Sequence, residues 1–398
     1  MKSRFIGGIL LVVGTSIGGG MLALPVANAA TGFWQSTFFL FICWAIMTLG
    51  ALFILEANLY LPRGKHMVSM AEATLGKAGL LTAWLSYIFL LYTLLSAYIS
   101  GGADIFASLF SRVGLHLNEW QASLLFTLAF GAVVYAGIRS VDLLNRGLMF
   151  GKLGVYLILV VLIAPHIQLN YLDGGDYRNI ASSIMLLLTS FGFAIIVPNL
   201  REYFNDDIKT LRRVILIGSF IPLLCYLAWD AVIIGTLPSE GNDGLAALMH
   251  SDRTNSELAA MLAKTVHSPL ITSLFNFFTS ICMLTAFLGV SLCLISFLAD
   301  GLKVEQRGKE GLGLFLLTFF PPLLLVLYYP GAYISALSYA GLFCVILLLL
   351  LPALMVMLGR KKFKSEYQVP GGRLTPVFVI MCSFLLLIHA VLQLLHVI

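Results

Sequence analysis

Apolar runs of span length follow one another along almost the whole chain. A bilayer's hydrocarbon core takes a helix of ~20 predominantly apolar residues. Runs of that kind cover 5–30, 35–61, 79–109, 119–138, 147–166, 180–200, 213–236, 268–300, 312–329, 331–358 and 374–397. No soluble domain of 398 residues is 60% hydrophobic with only 11% charged residues and a mean hydropathy of +0.96. The expectation is an all-α membrane protein with 11 transmembrane helices in a single domain over 1–398. Lys2, Arg4 and the apolar run up to Ala27-Asn28-Ala29-Ala30 mimic a cleaved signal peptide. A glycine cluster falls where a signal's apolar core is continuous, so the run reads as span 1.

The basic residues orient the spans, because cytoplasmic loops carry the excess of Lys and Arg. With the N-terminus inside, only Arg112, Arg178, Arg253 and Lys264 of the 24 basic residues fall outside. A missed span would scramble that sorting. The C-terminus then lies outside, and a bacterial inner membrane is the expected location.

Span 1 contains a flaw. Gly14-Thr15-Ser16-Ile17-Gly18-Gly19-Gly20-Met21-Leu22-Ala23-Leu24-Pro25 is poor helix material: each glycine costs ~1 kcal/mol relative to alanine, and proline lacks a backbone donor. Broken helix at membrane depth is tolerated only where it is buried in protein or lines a cavity. One reading is a helix unwound so that free N–H and C=O groups hold a polar solute; the other is close helix packing through small residues. A second stretch favours the first. Thr189-Ser190-Phe191-Gly192-Phe193-Ala194 repeats the pattern of Thr15-Ser16-Ile17-Gly18, and each is followed by a proline, Pro25 or Pro198. Paired Gly/Pro-interrupted apolar segments in two halves point to a transporter's binding site. The flawed spans are five apart, so spans 1–5 (1–166) and 6–10 (180–358) run in opposite senses, an inverted repeat with span 11 (374–397) added. The long outside loop, 237–267, carries two short amphipathic segments, 244–249 and 256–264, which read as a lid or a connector.

Other chemistries lack their residues. The six cysteines all lie in apolar segments without a CxxC pair and read as small hydrophobes. No His/Cys/Asp/Glu cluster has metal spacing. Gly7-Gly8 and Gly18-Gly19-Gly20 lack the Walker lysine, and no Ser/His/Asp set is present. There is no nucleic-acid signature, and no cofactor is expected.

Gly14-Thr15-x-Ile17-Gly18-x-Gly20-Met21-Leu22-x-x-Pro25 resembles the start of the bacterial hydroxy/aromatic amino acid permeases. So do Ala97-Tyr98-Ile99-Ser100-Gly101, Val141-Asp142-Leu143-x-Asn145-Arg146, Thr189-Ser190-Phe191-Gly192-Phe193, Phe287-Leu288-Gly289-Val290, Leu298-Ala299-Asp300, Tyr329-Pro330 and Gly371-Gly372-Arg373. The resemblance covers nearly the whole chain and is strongest to the tyrosine-specific branch. It implies the amino acid–polyamine–organocation superfamily, its LeuT-like five-plus-five inverted-repeat fold with discontinuous helices 1 and 6, and proton-coupled uptake by alternating access. Four positions depart from the family's pattern: Gly19 where alanine is usual, Ala194 where histidine is usual, Ala286 in place of a hydroxyl beside Thr285, and Asp230 in span 7.

An amino acid site can be laid on these positions. Carboxylate and ammonium are both costly to desolvate unless paired. Free N–H groups and the positive dipole end of the second half of span 1 offer Gly18, Gly19 and Gly20 to the carboxylate. The ammonium meets carbonyls freed near Gly14, Thr15 and Ser16, and at Ser190, Phe191 or Gly192. Phe191, Phe193, Tyr92 and Tyr98 are candidates for a ring-lined pocket, although phenylalanine is also common at lipid-facing positions and tyrosine at interfaces.

Coupling needs a titratable group inside the bundle. Lys152, beside Gly151 and Gly154 in span 5, can place its ammonium between spans 1 and 8 in the way a cation would, near Thr285, as a proton-linked switch; otherwise it snorkels to the cytoplasmic surface. Glu56 carries a proton or pairs with a basic residue. Asp104, Asp300, His166 and His389 read as interfacial or packing residues, and Asp230 has no evident partner. The expected function is proton symport of an aromatic amino acid, tyrosine first. A sodium-coupled or broader neutral amino acid carrier is the alternative. A membrane enzyme or non-transporting sensor fits less well, for want of catalytic pairs or an output domain.

Overall fold

The computed structural model describes residues 2–112, 114–136, 138–241, 244–305 and 308–395, without the side chains of residues 2, 3, 112, 138–140, 142–146, 150, 250 and 394. The Asp142–Arg146 side chains, the basic groups of Lys2, Arg112, Arg139 and Arg307, and the last residues of span 11 lie outside that set.

Span 1 is two rods. α1 (Lys2–Ser16) and α2 (Gly19–Asn28) meet at a 52° bend across Ile17 and Gly18. The breaking element is the glycine run alone, since Pro25 sits inside α2 and the helix continues through it. α3 (Phe33–Asn58) returns as span 2. α4 (Met67–Arg112) starts earlier than its apolar run predicts. Its first turns, with Met67, Met70 and Ala71 buried, are set off from the span by Gly76 at φ +73°. α5 (Glu119–Tyr135) and α6 (Ile138–Ile163) complete the first half, followed by the single turn α7 (Leu169–Leu172).

Span 6 is α8 (Ile180–Ser190), a 3₁₀ stretch Gly192–Ile196 and α9 (Val197–Phe204). Phe191 leaves helical geometry, with φ −98° and ψ 26°. This break is milder than that of span 1, because one glycine stands where span 1 has three and the chain tightens rather than unwinds. α10 (Ile208–Ile234) is span 7. The long loop 237–267 holds a 3₁₀ turn, Leu245–His250, and α11 (Thr254–Val266), at the two places the sequence predicts helices. α12 (Pro269–Leu302) and α13 (Gly308–Tyr328) follow. Span 10 is α14 (Tyr333–Cys344), a π segment Val345–Leu350 and α15 (Leu351–Lys362); α16 (Leu374–Leu394) closes the chain.

Among the described residues nine helices are long and apolar enough to cross a membrane, and the bent α1–α2 pair makes a tenth. α5 has 17 residues, fewer than a straight span of ~20. The expected eleventh span rests on it.

The interior is held by close approaches of bare backbone. A Cβ on Gly341 of α14 would lie 2.2 Å from the Met185 carbonyl of α8, and one on Gly50 of α3 would lie 2.2 Å from the Leu348 carbonyl. Leu348 is the residue whose partner N–H is removed by Pro352, which accounts for the π segment there. At the end where the basic residues gather, Glu56 is fully buried and saturated. It takes Arg360 Nε at 2.6 Å and Nη2 at 2.8 Å, the Tyr60 hydroxyl at 2.9 Å and the Val369 N–H at 2.7 Å. Arg201 there donates to the Asn58 and Leu61 carbonyls and to Asp206. At the opposite end α11 is fastened to α4: the Ser256 N–H and hydroxyl donate to Asp104, at 2.9 and 2.5 Å, and Asn255 Nδ2 donates to the Gly101 carbonyl at 3.4 Å.

Candidate functional site

The two breaks face one another across a cavity of ≈ 300 Å³. It is lined by the break of span 1 (Gly14, Thr15, Ser16, Ile17, Gly18, Gly20), by the end of α8 (Thr189, Ser190, Gly192), and by Tyr98, Lys152 and Thr285. Its volume is at the small end of the ~300–1,000 Å³ common for small-molecule sites. The remaining wall is largely aliphatic, with Leu90, Leu91 and Leu94 from α4 and Ile195 and Ile196 from the 3₁₀ turn, plus Cys293 and Cys344.

Local sequence explains the floor. α2 begins at Gly19, and the first turn of any helix leaves N–H groups without intrahelical partners. Here they have the positive end of the helix dipole behind them. Close packing brings the rest in. A Cβ on Gly19 would meet the Tyr98 ring at 2.6 Å, and one on Gly20 would meet Ser190 Oγ at 3.1 Å. Both readings of the glycines therefore apply at once: they unwind the span, and they let Tyr98 and Ser190 lie against bare backbone.

The freed carbonyls are not bare. Lys152 Nζ donates to the Ile17 carbonyl at 2.5 Å and lies 3.5 Å from Thr285 Oγ1. The Tyr226 hydroxyl lies 2.7 Å from the Ser16 carbonyl and 2.7 Å from the Ser190 carbonyl, one from each break. The Tyr333 hydroxyl donates to the Gly19 carbonyl at 2.5 Å. The Ser16, Ile17 and Ser190 carbonyls each keep a second lone pair for another donor, whereas the Gly19 carbonyl opens α2 and also accepts within that helix. The side-chain hydroxyls of Thr15, Ser16 and Ser190 donate back along their own helices, which leaves their oxygens as acceptors, and the Thr189 hydroxyl lies between the Met185 and Leu337 carbonyls, at 2.9 and 2.8 Å.

Lys152 is 1% exposed, so its side chain does not reach the surface. Among the described residues no carboxylate lies within 4 Å of its ammonium. A buried, unpaired cation inside a membrane bundle is costly and marks function.

The other predicted residues lie elsewhere. Tyr92 turns to α13 and donates to the Leu317 carbonyl at 2.8 Å. Phe191 packs edge-on against Tyr226 with centroids 5.1 Å apart, behind the cavity wall, and Phe193 is fully buried away from it. Glu56 is committed to Arg360 at the basic end. Gly19 touches the site through Tyr98 and is not part of the lining. Ala194 is buried and off the cavity. Sequence reasoning missed Tyr226 and Tyr333. For Tyr226 the available signal was a tyrosine in mid-span, where its hydroxyl must find a partner; Tyr333, the first residue of α14, carries no such signal.

On one side of the cavity Tyr98 and Met283 pack on Gly19, Met283 and Asn255 pack on Gly101, and all three side chains are buried. On the other side the lining runs along Leu11, Leu90, Ile196 and Cys293, toward the end that carries Arg201, Arg360 and Lys303.

The tryptophan/tyrosine permease family profile matches residues 1–390. A tyrosine-specific transport system of Haemophilus influenzae is 34% identical over 388 residues, 96% of each chain. A tryptophan-specific transport protein of Pseudomonas aeruginosa is 32% identical, covering 96% of this chain and 93% of its own. A glutamine transporter of Aliivibrio fischeri is 30% identical, over 98% of this chain and all of its own. In fold, the crystal structure of a manganese transporter from Eremococcus coleocola superposes with a TM-score of 0.62 at 12% identity, over 98% of this chain and 87% of that one. The all-helical, LeuT-like architecture is therefore shown, and the chain, a membrane transport protein and not an enzyme, belongs to the tryptophan/tyrosine permease family.

Proposed function

We propose that the protein imports aromatic amino acids, tyrosine first among them, across a bacterial inner membrane by proton symport with alternating access. It does so as an inverted repeat of spans 1–5 (1–166) and 6–10 (180–358) with span 11 (374–397) appended, α5 counted as a span, the N-terminus cytoplasmic and the C-terminus periplasmic. The names of the Haemophilus and Pseudomonas relatives support the substrate class. The observation that carries the coupling is Lys152, buried against the Ile17 carbonyl at 2.5 Å beside the cavity.

The substrate carboxylate takes the N–H groups at Gly18–Gly20, and the ammonium takes the open lone pairs of the Ser16 and Ser190 carbonyls together with the hydroxyl oxygens of Thr15, Ser16 and Ser190. The side chain extends along Tyr98 and the leucines of α4. A protonated Lys152 binds the end of α1 to α6 and α12 through Ile17 and Thr285. Loss of that proton removes the charge from the bond, frees the α1 end and biases the bundle toward its other conformation. Sodium is disfavoured because an ammonium already fills the place between α1 and α12.

The test is uptake of labelled tyrosine into proteoliposomes under imposed proton or sodium gradients. Accumulation that follows the proton gradient and is competed by unlabelled tyrosine, tryptophan or phenylalanine supports the reading. Accumulation that follows sodium and ignores pH overturns the coupling. Competition by glutamine but not by aromatic residues transfers the assignment to the broader neutral class that the Aliivibrio relative's name favours.

A further inference from the structure

Asp230 stands in α10 one turn from its outer end, 1% exposed. One oxygen, Oδ2, accepts from Asn28 Nδ2 at 2.7 Å. The other, Oδ1, has no hydrogen-bond partner, and neither has Oδ1 of Asn28, which is itself fully buried as the last residue of α2. Two acceptors of the same side-chain pair are therefore orphaned together.

The surroundings offer no charge to pair with it; the Trp229 indole N–H and the Thr31 and Thr236 hydroxyls are buried without partners as well, and none of them is within hydrogen-bond distance of Asp230 Oδ1. Among the described residues no basic side chain lies within 4 Å of Asp230. On α10 itself Tyr226 is committed to the Ser16 and Ser190 carbonyls, and Cys225 is its neighbour. From α6 the titratable group is Tyr156, whose hydroxyl donates to the Cys225 carbonyl at 2.9 Å. α2 contributes Asn28 and no charge, and α7 contributes Tyr171. The charges of α1, α3 and α9 sit at the basic end, with Arg4, Glu56, Arg201 and Glu202. Trp229, stacked on Phe275 with centroids 5.9 Å apart, makes the wall beside Asp230 aromatic. An ionised carboxylate with one hydrogen bond in such a place is very costly.

One proton resolves both orphans. On Asp230 Oδ1 it removes the charge and supplies a donor to Asn28 Oδ1, while Asn28 Nδ2 already donates to Oδ2. The result is a reciprocal carboxylic acid–amide ring with every polar atom paired. We propose that Asp230 and Asn28 form a second proton-binding site, separate from Lys152, and that its proton clamps α2, the outer half of span 1, to α10. Ionisation turns the ring into two facing acceptors and releases α2. Protons entering from the outside thus close the outer half of the carrier. The site goes beyond the coupling assigned to Lys152, and its protonation state is measurable without transport.

Infrared spectroscopy of the purified protein in lipid tests this. The neutral-acid carbonyl band of a buried aspartate is expected at neutral pH, assigned by carbon-13 aspartate labelling. It disappears in Asp230→Asn and shifts in Asn28→Ala. Asp230→Asn keeps a reciprocal amide–amide ring, so it is expected to fold with α2 clamped, to retain tyrosine binding and to lower net uptake by about tenfold, one decade of bias in a two-state equilibrium. A band that stays in Asp230→Asn, or only ionised-carboxylate bands at neutral pH, overturns the proposal. Conversion of the acid band to carboxylate by sodium at constant pH also overturns it, in favour of a metal-cation site. If uptake proves independent of Lys152 while the Asp230 band is present, the earlier coupling assignment fails and this one stands.

Discussion

Lys152 Nζ and the Ile17 carbonyl, 135 positions apart in sequence, lie 2.5 Å from each other at the point where span 1 gives way. A charge-assisted bond of this kind is about twice as strong as a neutral one. Lys152→Ala is therefore expected to uncouple the carrier: gradient-driven accumulation of tyrosine drops about tenfold or more, while exchange of external for internal substrate persists. Proteoliposome uptake and counterflow on the same preparation separate the two. Proton-driven accumulation unchanged in the variant removes Lys152 from the mechanism.

Tyr226→Phe deletes the one hydroxyl proton that the Ser16 and Ser190 carbonyls share. Each buried group left without a donor costs ~1–3 kcal/mol. Thermal unfolding in detergent is expected at lower temperature, with the deficit partly recovered by saturating tyrosine, whose ammonium supplies donors to both carbonyls. A midpoint unchanged from the parent would show that the hydroxyl spans the breaks without supporting them.

Gly19→Ala places a methyl where the Tyr98 ring now lies, at 2.6 Å. The ring has to swing toward the cavity. The expected result is a KM for tyrosine raised about tenfold, with normal protein yield, and relief in Gly19→Ala/Tyr98→Leu. Competition assays on both variants check this; equal affinity in parent and single variant places the substrate away from Tyr98.

Glu56→Gln removes the charge that faces Arg360 at the basic end. Breaking a buried pair by removing one partner costs ~3–5 kcal/mol. Lower thermal stability with unaltered pH dependence of uptake is expected. A changed pH profile in folded Glu56→Gln would return this residue to the coupling machinery.

The spans and the place of the break were legible because glycine and apolar content act locally: Gly18–Gly20 cannot propagate a helix, and that is visible without knowing any neighbour. Lys152 was legible for a similar reason, as a charge with no apolar-span excuse. Ring placement was not. Phe191 is the non-helical residue that ends α8 and Phe193 lies on the 3₁₀ segment after it, so neither ring points where a continuous α-helix implies, and nothing in Gly192-Phe193-Ala194 announces that tightening. Tyr92 was drawn off by a carbonyl 225 residues away, next to Pro321 and Pro322 in α13, a partner visible only once α4 and α13 are packed. Tyr226 failed to stand out for the same reason, since its two acceptors belong to segments 36 and 210 residues distant.

The fastening of α11 to α4 reaches from the 237–267 loop to Gly101 and Asp104 inside a span, and its hold is the Asp104 carboxylate and a few polar bonds. Speed and choice are consequently linked in this carrier: Asn255 lies against Gly101 and Met283, and Met283 and Tyr98 both lie on Gly19, so variation along α11 is expected to change the turnover and the roster of accepted solutes together.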